Sequence, residues 1–457
     1  MRAYLAKTKP NSPANRVPWY RYTLPVCGAS FLWAGFAEHI AEGTINHASL
    51  GIVFLGIVLG GVFSYALLYY IPSVLGMQTG YPAGVIGSST FGSRGGLVVP
   101  GLVLGLAQAM MLGAAVYYAA ALAAIGAGGE AGPTSIPFVT AAAVWCALFA
   151  MLGAKGIPMA ARLALWVSPI PLLLFPAFAM LAWEGLPLYG LEIPAPFAAF
   201  TLSIQMVVAY SAVIGASAPA LGMHLRSKQD VRTGGITGVI VPSICAGGLT
   251  IVTVAGARAL NPSLGGLGYI ESAASVAGPL GALAPWLLLI AGAPVTCLFA
   301  ALALDSFSVM MPSAPRPLIR AGVPVFAFAV ALSGLPAHGQ DFLTALGAVC
   351  APFCGIMAAD LWQHDNRWPH TRPGINLAGF GAWAIGLLAG FVPLMPVPEH
   401  IKAVSNPAAL YACLAGFLAY ILLGNLGLKP YQRHRRRRVK GKEEWEEGRP
   451  PSIERWG

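Results

Sequence analysis

The sequence predicts an all-α integral membrane protein of twelve transmembrane helices, arranged as an inverted five-plus-five repeat with broken helices one and six and two extra helices at the end. Composition is the first observation: apolar residues fill 57% of 457 positions and charged residues only 10%, with a mean hydropathy of +0.69. Soluble domains carry about 25% charged residues, so a soluble enzyme is excluded. The second is the recurrence of apolar runs, each near the roughly 20 residues that a helix needs to cross a hydrocarbon core. The third is the one-sided placement of Lys and Arg.

Taken in order, the runs give spans at 23–43, 49–71, 98–125, 136–152, 163–183 and 197–221, then 234–257, 280–304, 318–335, 342–362, 375–393 and 407–428. Short cytoplasmic loops collect Lys and Arg, whereas exported loops do not. With the amino terminus inside, all but Arg258 and Lys402 of the 27 basic residues fall on the cytoplasmic side. A miscounted span would scramble that alternation in every later loop. Both termini are therefore expected in the cytoplasm and the chain in the inner membrane. About twenty residues precede the first apolar run, which the alternation requires to be retained, so a cleavable signal peptide is not expected.

The net charge of +10 invites a nucleic-acid reading, above all at the run from His434 to Arg438. A basic tail beside the last span is explained more simply by anionic lipid head groups. Membrane lipid is thus the expected partner of this tail, and nucleic acid is not. The acidic run from Glu443 to Glu447 follows it, as in a solvated end. All seven cysteines lie within expected spans; Cys350 and Cys354 share a helix face, where packing is expected rather than metal.

Two links exceed the rest, 72–97 after span two and 258–279 after span seven. They lie five spans apart on opposite sides of the membrane, the pattern of inverted five-helix units. The expected organisation is a cytoplasmic segment at 1–22, repeats at 23–183 and 197–362, extra helices at 375–428 and a basic tail at 429–457. Spans one and six then correspond. Trp33–His39 in one and Tyr210–Pro219 in the other hold small, polar or helix-breaking residues at membrane depth, where broken helices expose backbone groups to ions and solutes. The pairs Gly56/Gly60, Gly101/Gly105 and Gly386/Gly390 read as close helix packing.

Ionisable residues inside a membrane are costly, about 2.5–3.5 kcal/mol for an acid at a helix centre. Glu38 is the candidate for coupling a proton or offering a carboxylate to a cation, with His39 beside it and Glu42 one turn on. The competing reading ties Glu38 into the bundle and leaves Glu42 at the external water interface. Gln108 is a candidate ligand-reading amide, or a tie between helices. Tyr210 is a candidate for stacking or hydrogen bonding, or for aromatic packing. Asp305 is expected to face the cytoplasm, and Asp360 to anchor a helix end or gate. The sequence holds no phosphate-cradling Gly-Lys-Ser/Thr loop, no paired metal-binding histidines and no nucleophile elbow, which points away from ATP-driven transport and from enzymes.

Several segments resemble the nucleobase:cation symporter-1 family, in particular its cytosine permease branch. Trp33-Ala34-Gly35 is similar to the break in that family's first helix, and Thr79-Gly80-Tyr81-Pro82 with Ser89 through Gly96 resembles its loop before helix three, with Gln108 following. Phe342 through Gly347, continuing through Pro352, Gly355 and Ala359-Asp360, resembles its tenth helix, and Gly374 through Gly379 the start of its eleventh. The resemblance implies a flat heterocycle clamped by aromatic rings from helices three and six, read by amides. Substrate contacts are then expected from Trp33, Gly35, Phe36, Gln108, Met111, Tyr210, Ser211 and Ala293. Met111 stands where related permeases place a tryptophan, and Ala293 where an asparagine would help.

The resemblance also implies a cation site between helices one and eight, to which Ala293 and Thr296 belong, so a sodium ion at Thr296 is one expectation. Its neighbour Cys297 is a soft and poor ligand. The resulting expectation is a symporter, driven by protons or sodium, of a nucleobase or related small heterocycle, with no other cofactor. The rivals are an amino-acid or amine carrier of the same architecture, and a non-transporting sensor or scaffold. Oligomeric state is not fixed by the sequence.

Overall fold

The computed structural model describes residues 3–28, 31–190, 194–264, 268–365 and 367–428, so the basic tail at 429–457 lies outside the described residues. Within them, nine helices are long and apolar enough to cross a membrane, or ten when a bent pair counts as one. These are span two, Leu50–Thr79; three, Gly92–Gly126; four, Ile136–Gly153; five, Ile157–Val167 with Pro169–Leu181; six, Pro196–Gly222; seven, Lys228–Leu260; eight, Pro279–Met310; ten, Gly339–Trp362; eleven, Leu377–Leu394; and twelve, Ala408–Leu428. Span nine, Arg316–Leu332, is a single helix of 17 residues, and the described helices of span one are Leu24–Gly28 and Phe31–Thr44. Twelve helical spans thus stand where the hydropathy places them.

Local chemistry sets many of the boundaries. Proline occupies the first turn of spans four, six, eight and nine and of both halves of span five, where its missing N–H has no helical partner to lose. Pro169 opens the second half of span five, which departs from the first by 42°. Gly80, at φ +71°, ends span two in the left-handed conformation that glycine adopts without strain.

Packing follows the pseudo-symmetry. Spans three and four cross spans eight and nine, span two lies along span six, span one lies against span seven, and spans eleven and twelve cover span ten. Spans six, eight and ten are 83% buried over their apolar windows against 33% for spans two, four and twelve, so the former are central and the latter face lipid. Each long link carries a short helix, Ala83–Thr90 after span two and Tyr269–Ala277 after span seven. Spans two and seven also both contain π-helical turns, Ser64–Tyr70 in one and Ile236–Ile240 with Ser243–Gly248 in the other.

The residues expected to break spans one and six lie in continuous helix. Span six is one continuous helix of 27 residues, so Tyr210–Pro219 is not an interruption. Its small residues serve close approach to span two: Gly215 lies on Leu68, Pro219 on Gly76, and Gly222 on the Ser73 carbonyl. In span one the described helix Phe31–Thr44 runs intact through Trp33–His39. Gly35 is there because the Tyr118 ring occupies the space of a Cβ. The glycine pairs read as packing contacts are such contacts, with Gly56 and Gly60 against Ser203 and Val207 of span six, and Gly386 and Gly390 against Pro352 and Ala348 of span ten. Gly101 and Gly105 meet Met310 and Phe307 of span eight in the same way.

Candidate functional site

One end of the bundle gathers the amino terminus, the links two–three, six–seven and ten–eleven, and most of the described basic residues; it is called the basic end below. Halfway from it, helix Phe31–Thr44 turns Trp33, Phe36, Ala37 and Ile40 to one face at helical spacing, and all four are fully buried. The Trp33 indole meets the Tyr210 ring of span six at 5.0 Å and 52°, and Phe36 meets Tyr210 at 6.2 Å and Tyr118 of span three at 5.2 Å. Tyr118 donates its hydroxyl to the Pro336 carbonyl at 2.8 Å. Ser211 is buried beside Tyr210. Trp33 Nε1 has no hydrogen-bond acceptor although it is inaccessible to solvent.

Gln108 lies elsewhere. Its Nε2 donates to Ser217 Oγ at 2.7 Å, and its Oε1 accepts from Ser306 Oγ at 2.7 Å, so one amide ties spans three, six and eight. Ser217 is seven residues beyond Tyr210, about 10 Å along the helix toward the basic end. The structure therefore does not bring Gln108 to the aromatic rings, and in this conformation its amide binds protein. Met111 is fully buried on span three between those two levels. Ala293 is buried at the start of the lower half of span eight. Tyr118 was not singled out by sequence; an aromatic in a long apolar helix carries no signal of what it faces.

The expected cation position does not suit sodium. Thr296 Oγ1 donates to the Gly292 carbonyl at 2.8 Å and accepts from Trp145 Nε1 at 3.1 Å. An N–H is thus aimed at the oxygen that was expected to face the ion. The Phe31 ring of span one fills the neighbouring space, since a Cβ on Gly292 would lie 3.0 Å from its edge. Cys297, buried beside Thr296, adds a thiol where a hard cation prefers oxygen.

Glu38 sits five residues beyond Trp33, about 7 Å toward the end opposite the basic one. It is half-buried and makes no hydrogen bond or ion pair among the described residues. Its carboxylate converges with that of Glu271 on the seven–eight link: a Cβ at Gly268 would lie 3.9 Å from Glu38 Oε2 and 3.8 Å from Glu271 Oε2. His39 packs on Gly339 of span ten, with its Nδ1 3.9 Å from Glu42 Oε2. Glu38, Glu42 and Glu271 give this mouth an acidic lining.

At the basic end the amino-terminal segment crosses the bundle as a strap. Asn11 donates from its backbone to the Gly80 carbonyl and from its amide to the Met223 carbonyl, Val17 N–H donates to the His224 carbonyl, and Trp19 N–H donates to Asp230. The Tyr22 and His224 rings stack at 4.1 Å and 14°. Burial, and then the nearby Arg16, push the His224 imidazole down to about 4, so it is neutral and its Nδ1 accepts from the Asn11 amide at 3.1 Å. Burial, and then the Asp305 carboxylate, push the Tyr22 phenol up, and Asp305 of span eight is exposed.

Asp360 is the second fixed point of this end. Arg372 holds it in a fork, with Nη2 to Oδ1 at 2.9 Å and Nη1 to Oδ2 at 3.1 Å, and the Tyr420 hydroxyl donates to Oδ1 at 2.7 Å. Arg372 also donates to the Ser89 carbonyl, and Asn376 Nδ2 donates to the Thr90 carbonyl at 2.6 Å. The cluster thereby binds the ten–eleven link to helix Ala83–Thr90 and to span twelve, all of it buried. Asp360 is thus an anchor, as expected.

No family model matches the chain, and neither does any curated protein. Solved structures share its fold. Mhp1, described as a nucleobase-cation-symport-1 family transporter in a closed conformation with bromovinylhydantoin bound, aligns at a TM-score of 0.67 and 18% identity over 91% of this chain and 95% of its own. A Na+-coupled sialic acid symporter aligns at 0.56 and 12% identity over 92% of this chain and 93% of its own. MhsT in complex with L-phenylalanine aligns at 0.55 and 14% identity over 88% and 97%. At these identities the likeness is one of fold.

Proposed function

We propose that this chain is a divergent member of the nucleobase:cation symporter-1 family, an importer of a nucleobase or related small, neutral heterocycle driven by protons. The observation that carries the reading is the buried cluster of Trp33, Phe36, Tyr118 and Tyr210 where spans one, three and six meet. Flat rings bind by stacking between such faces. Trp33 and Tyr210, at 5.0 Å, leave no space for a third ring. A ligand ring stacked on the Tyr210 face needs about 3.5 Å of its own, so binding moves the Trp33 indole aside and leaves its edge toward the ligand.

Proton coupling is favoured because Trp145 and Phe31 fill the expected sodium position, while Glu38 stands half-buried without a basic partner between the acidic mouth and the rings. Protonation there would accompany closure of the mouth, and release would follow opening at the basic end, where the Gln108 tie and the strap must yield. On this reading both termini are cytoplasmic, the chain lies in the inner membrane, repeats 23–183 and 197–362 rock against each other, and 375–428 braces span ten. Membrane lipid meets the tail and the outer spans. The acidic mouth of Glu38, Glu42 and Glu271 favours one rival, a carrier of cationic amines.

Thermal-shift binding to the purified protein separates the two. Uracil, cytosine, hydantoin, amino acids and amines are each tested in sodium chloride and in choline chloride. A heterocycle that stabilises the protein equally in both salts supports the proposal. Stabilisation by amines alone, or by heterocycles only in sodium, overturns it.

A further inference from the structure

The indoles within the bundle are treated differently. Trp145 Nε1 donates to Thr296, Trp368 Nε1 to the Ile86 carbonyl at 3.3 Å, and Trp383 Nε1 to the Val349 carbonyl at 3.0 Å. Trp33, fully buried, has no acceptor for its N–H. An N–H without an acceptor at bilayer depth is costly, and buried donors are ordinarily satisfied. Among the described residues no acceptor lies within hydrogen-bond distance of this N–H, and Gly247 of span seven and the Tyr210 ring lie against the indole. The donor nevertheless stands inside the aromatic cluster where spans one, three and six meet.

We infer that Trp33 Nε1 is a specificity-determining donor, reserved for a hydrogen-bond acceptor on the substrate, either a carbonyl oxygen or an unprotonated ring nitrogen. This rests on the heterocycle reading above and deepens it. Stacking accepts any flat ring, whereas a single fixed donor selects rings that present an acceptor at one edge. It discriminates against donor-only edges and simple aromatic amines, because for these the N–H stays unpaired. Gln108, tied to Ser217 and Ser306, does not share this task in this conformation.

The test compares uracil and hydantoin with 2-thiouracil, 4-thiouracil and 2-thiohydantoin, whose sulfur accepts hydrogen bonds weakly, on wild type, Trp33→Phe and Trp33→His. Both variants shorten the ring, but only the imidazole retains an N–H. Wild type should bind the carbonyl parents about tenfold more tightly than the analogue thiolated at the contacted position, the worth of one hydrogen bond. Trp33→Phe should lose that preference and Trp33→His should recover part of it. Equal binding of oxygen and sulfur analogues by wild type overturns the inference without any variant. A preference that survives in Trp33→Phe also overturns it. Failure of every heterocycle to bind wild type removes the proposed function and this inference together.

Discussion

Removing Arg372 should destabilise the protein more than any other single side-chain change at the basic end. Its guanidinium makes two bonds to Asp360 at 2.9 and 3.1 Å, one to the Tyr420 hydroxyl at 2.9 Å and one to the Ser89 carbonyl, and both charged partners are about 2% exposed. In Arg372→Leu the Asp360 carboxylate stays buried with Tyr420 as its remaining strong donor. Stranding one member of a buried pair costs about 3–5 kcal/mol. In Asp360→Asn the stranded charge is Arg372, with a similar cost. Replacing both together removes the charge as well as the pair, and such replacements are often close to neutral. Unfolding entropy grows with chain length, so each kcal/mol moves the midpoint of a chain this long by about 1–2 °C, and the single variants should melt about 3–10 °C below wild type. Thermal unfolding in detergent, followed by thiol-reactive dye on the buried cysteines, reads this directly. The reasoning is refuted if Arg372→Leu melts within about 1 °C of wild type, or if the double variant loses the sum of the two single losses.

Glu38→Gln should retain heterocycle binding but abolish pH-driven accumulation, and unchanged uphill uptake would reject Glu38 as the coupling group. Gln108→Ala breaks two side-chain bonds at a three-helix junction and should cost about 2–4 kcal/mol in thermal stability; a loss of affinity with unchanged melting would instead assign the amide to the substrate. Gly222→Ala drives a Cβ into the Ser73 carbonyl, so the closest crossing of spans two and six should lose about 1–3 kcal/mol, read by melting temperature. His224, held down to about 4, is neutral in the folded strap while an unfolded histidine titrates near 6.5. The unfolded chain therefore binds the extra proton between those values, and strap stability is lost as pH falls from about 6.5 toward 4. Hydrogen exchange at residues 8–23 should rise over that window in wild type and stay flat in His224→Phe, which keeps the stack on Tyr22.

The spans were legible because lipid leaves the backbone few choices: runs such as 98–125 and 342–362 must be helical, and the one-sided basic residues count them. The matched long links were legible too, and each proved to carry a helix. Breakers were harder. Gly215, Pro219 and Gly222 look alike in sequence whether they interrupt a helix or let another approach it; here Leu68, Gly76 and Ser73 of span two decide, and they lie far away in sequence. Gln108 was legible as a buried amide, but not its partners Ser217 and Ser306. Thr296 looked available until Trp145, some 150 positions upstream, was seen to cap it. Asp360 was legible as an anchor, whereas its fork with Arg372 depends on how the ten–eleven link folds back. In each case the residue type was visible and the facing side chain was not.

The proposed transport carries a flat, neutral solute between spans one, three and six at the expense of a proton gradient. Uptake of radiolabelled uracil, cytosine and hydantoin into proteoliposomes in sodium-free buffer, with the outside acidified, measures it most directly. Accumulation above the external concentration that collapses with a protonophore is the predicted result. Accumulation that appears only when sodium is supplied, or no uptake of any of the three, would contradict it.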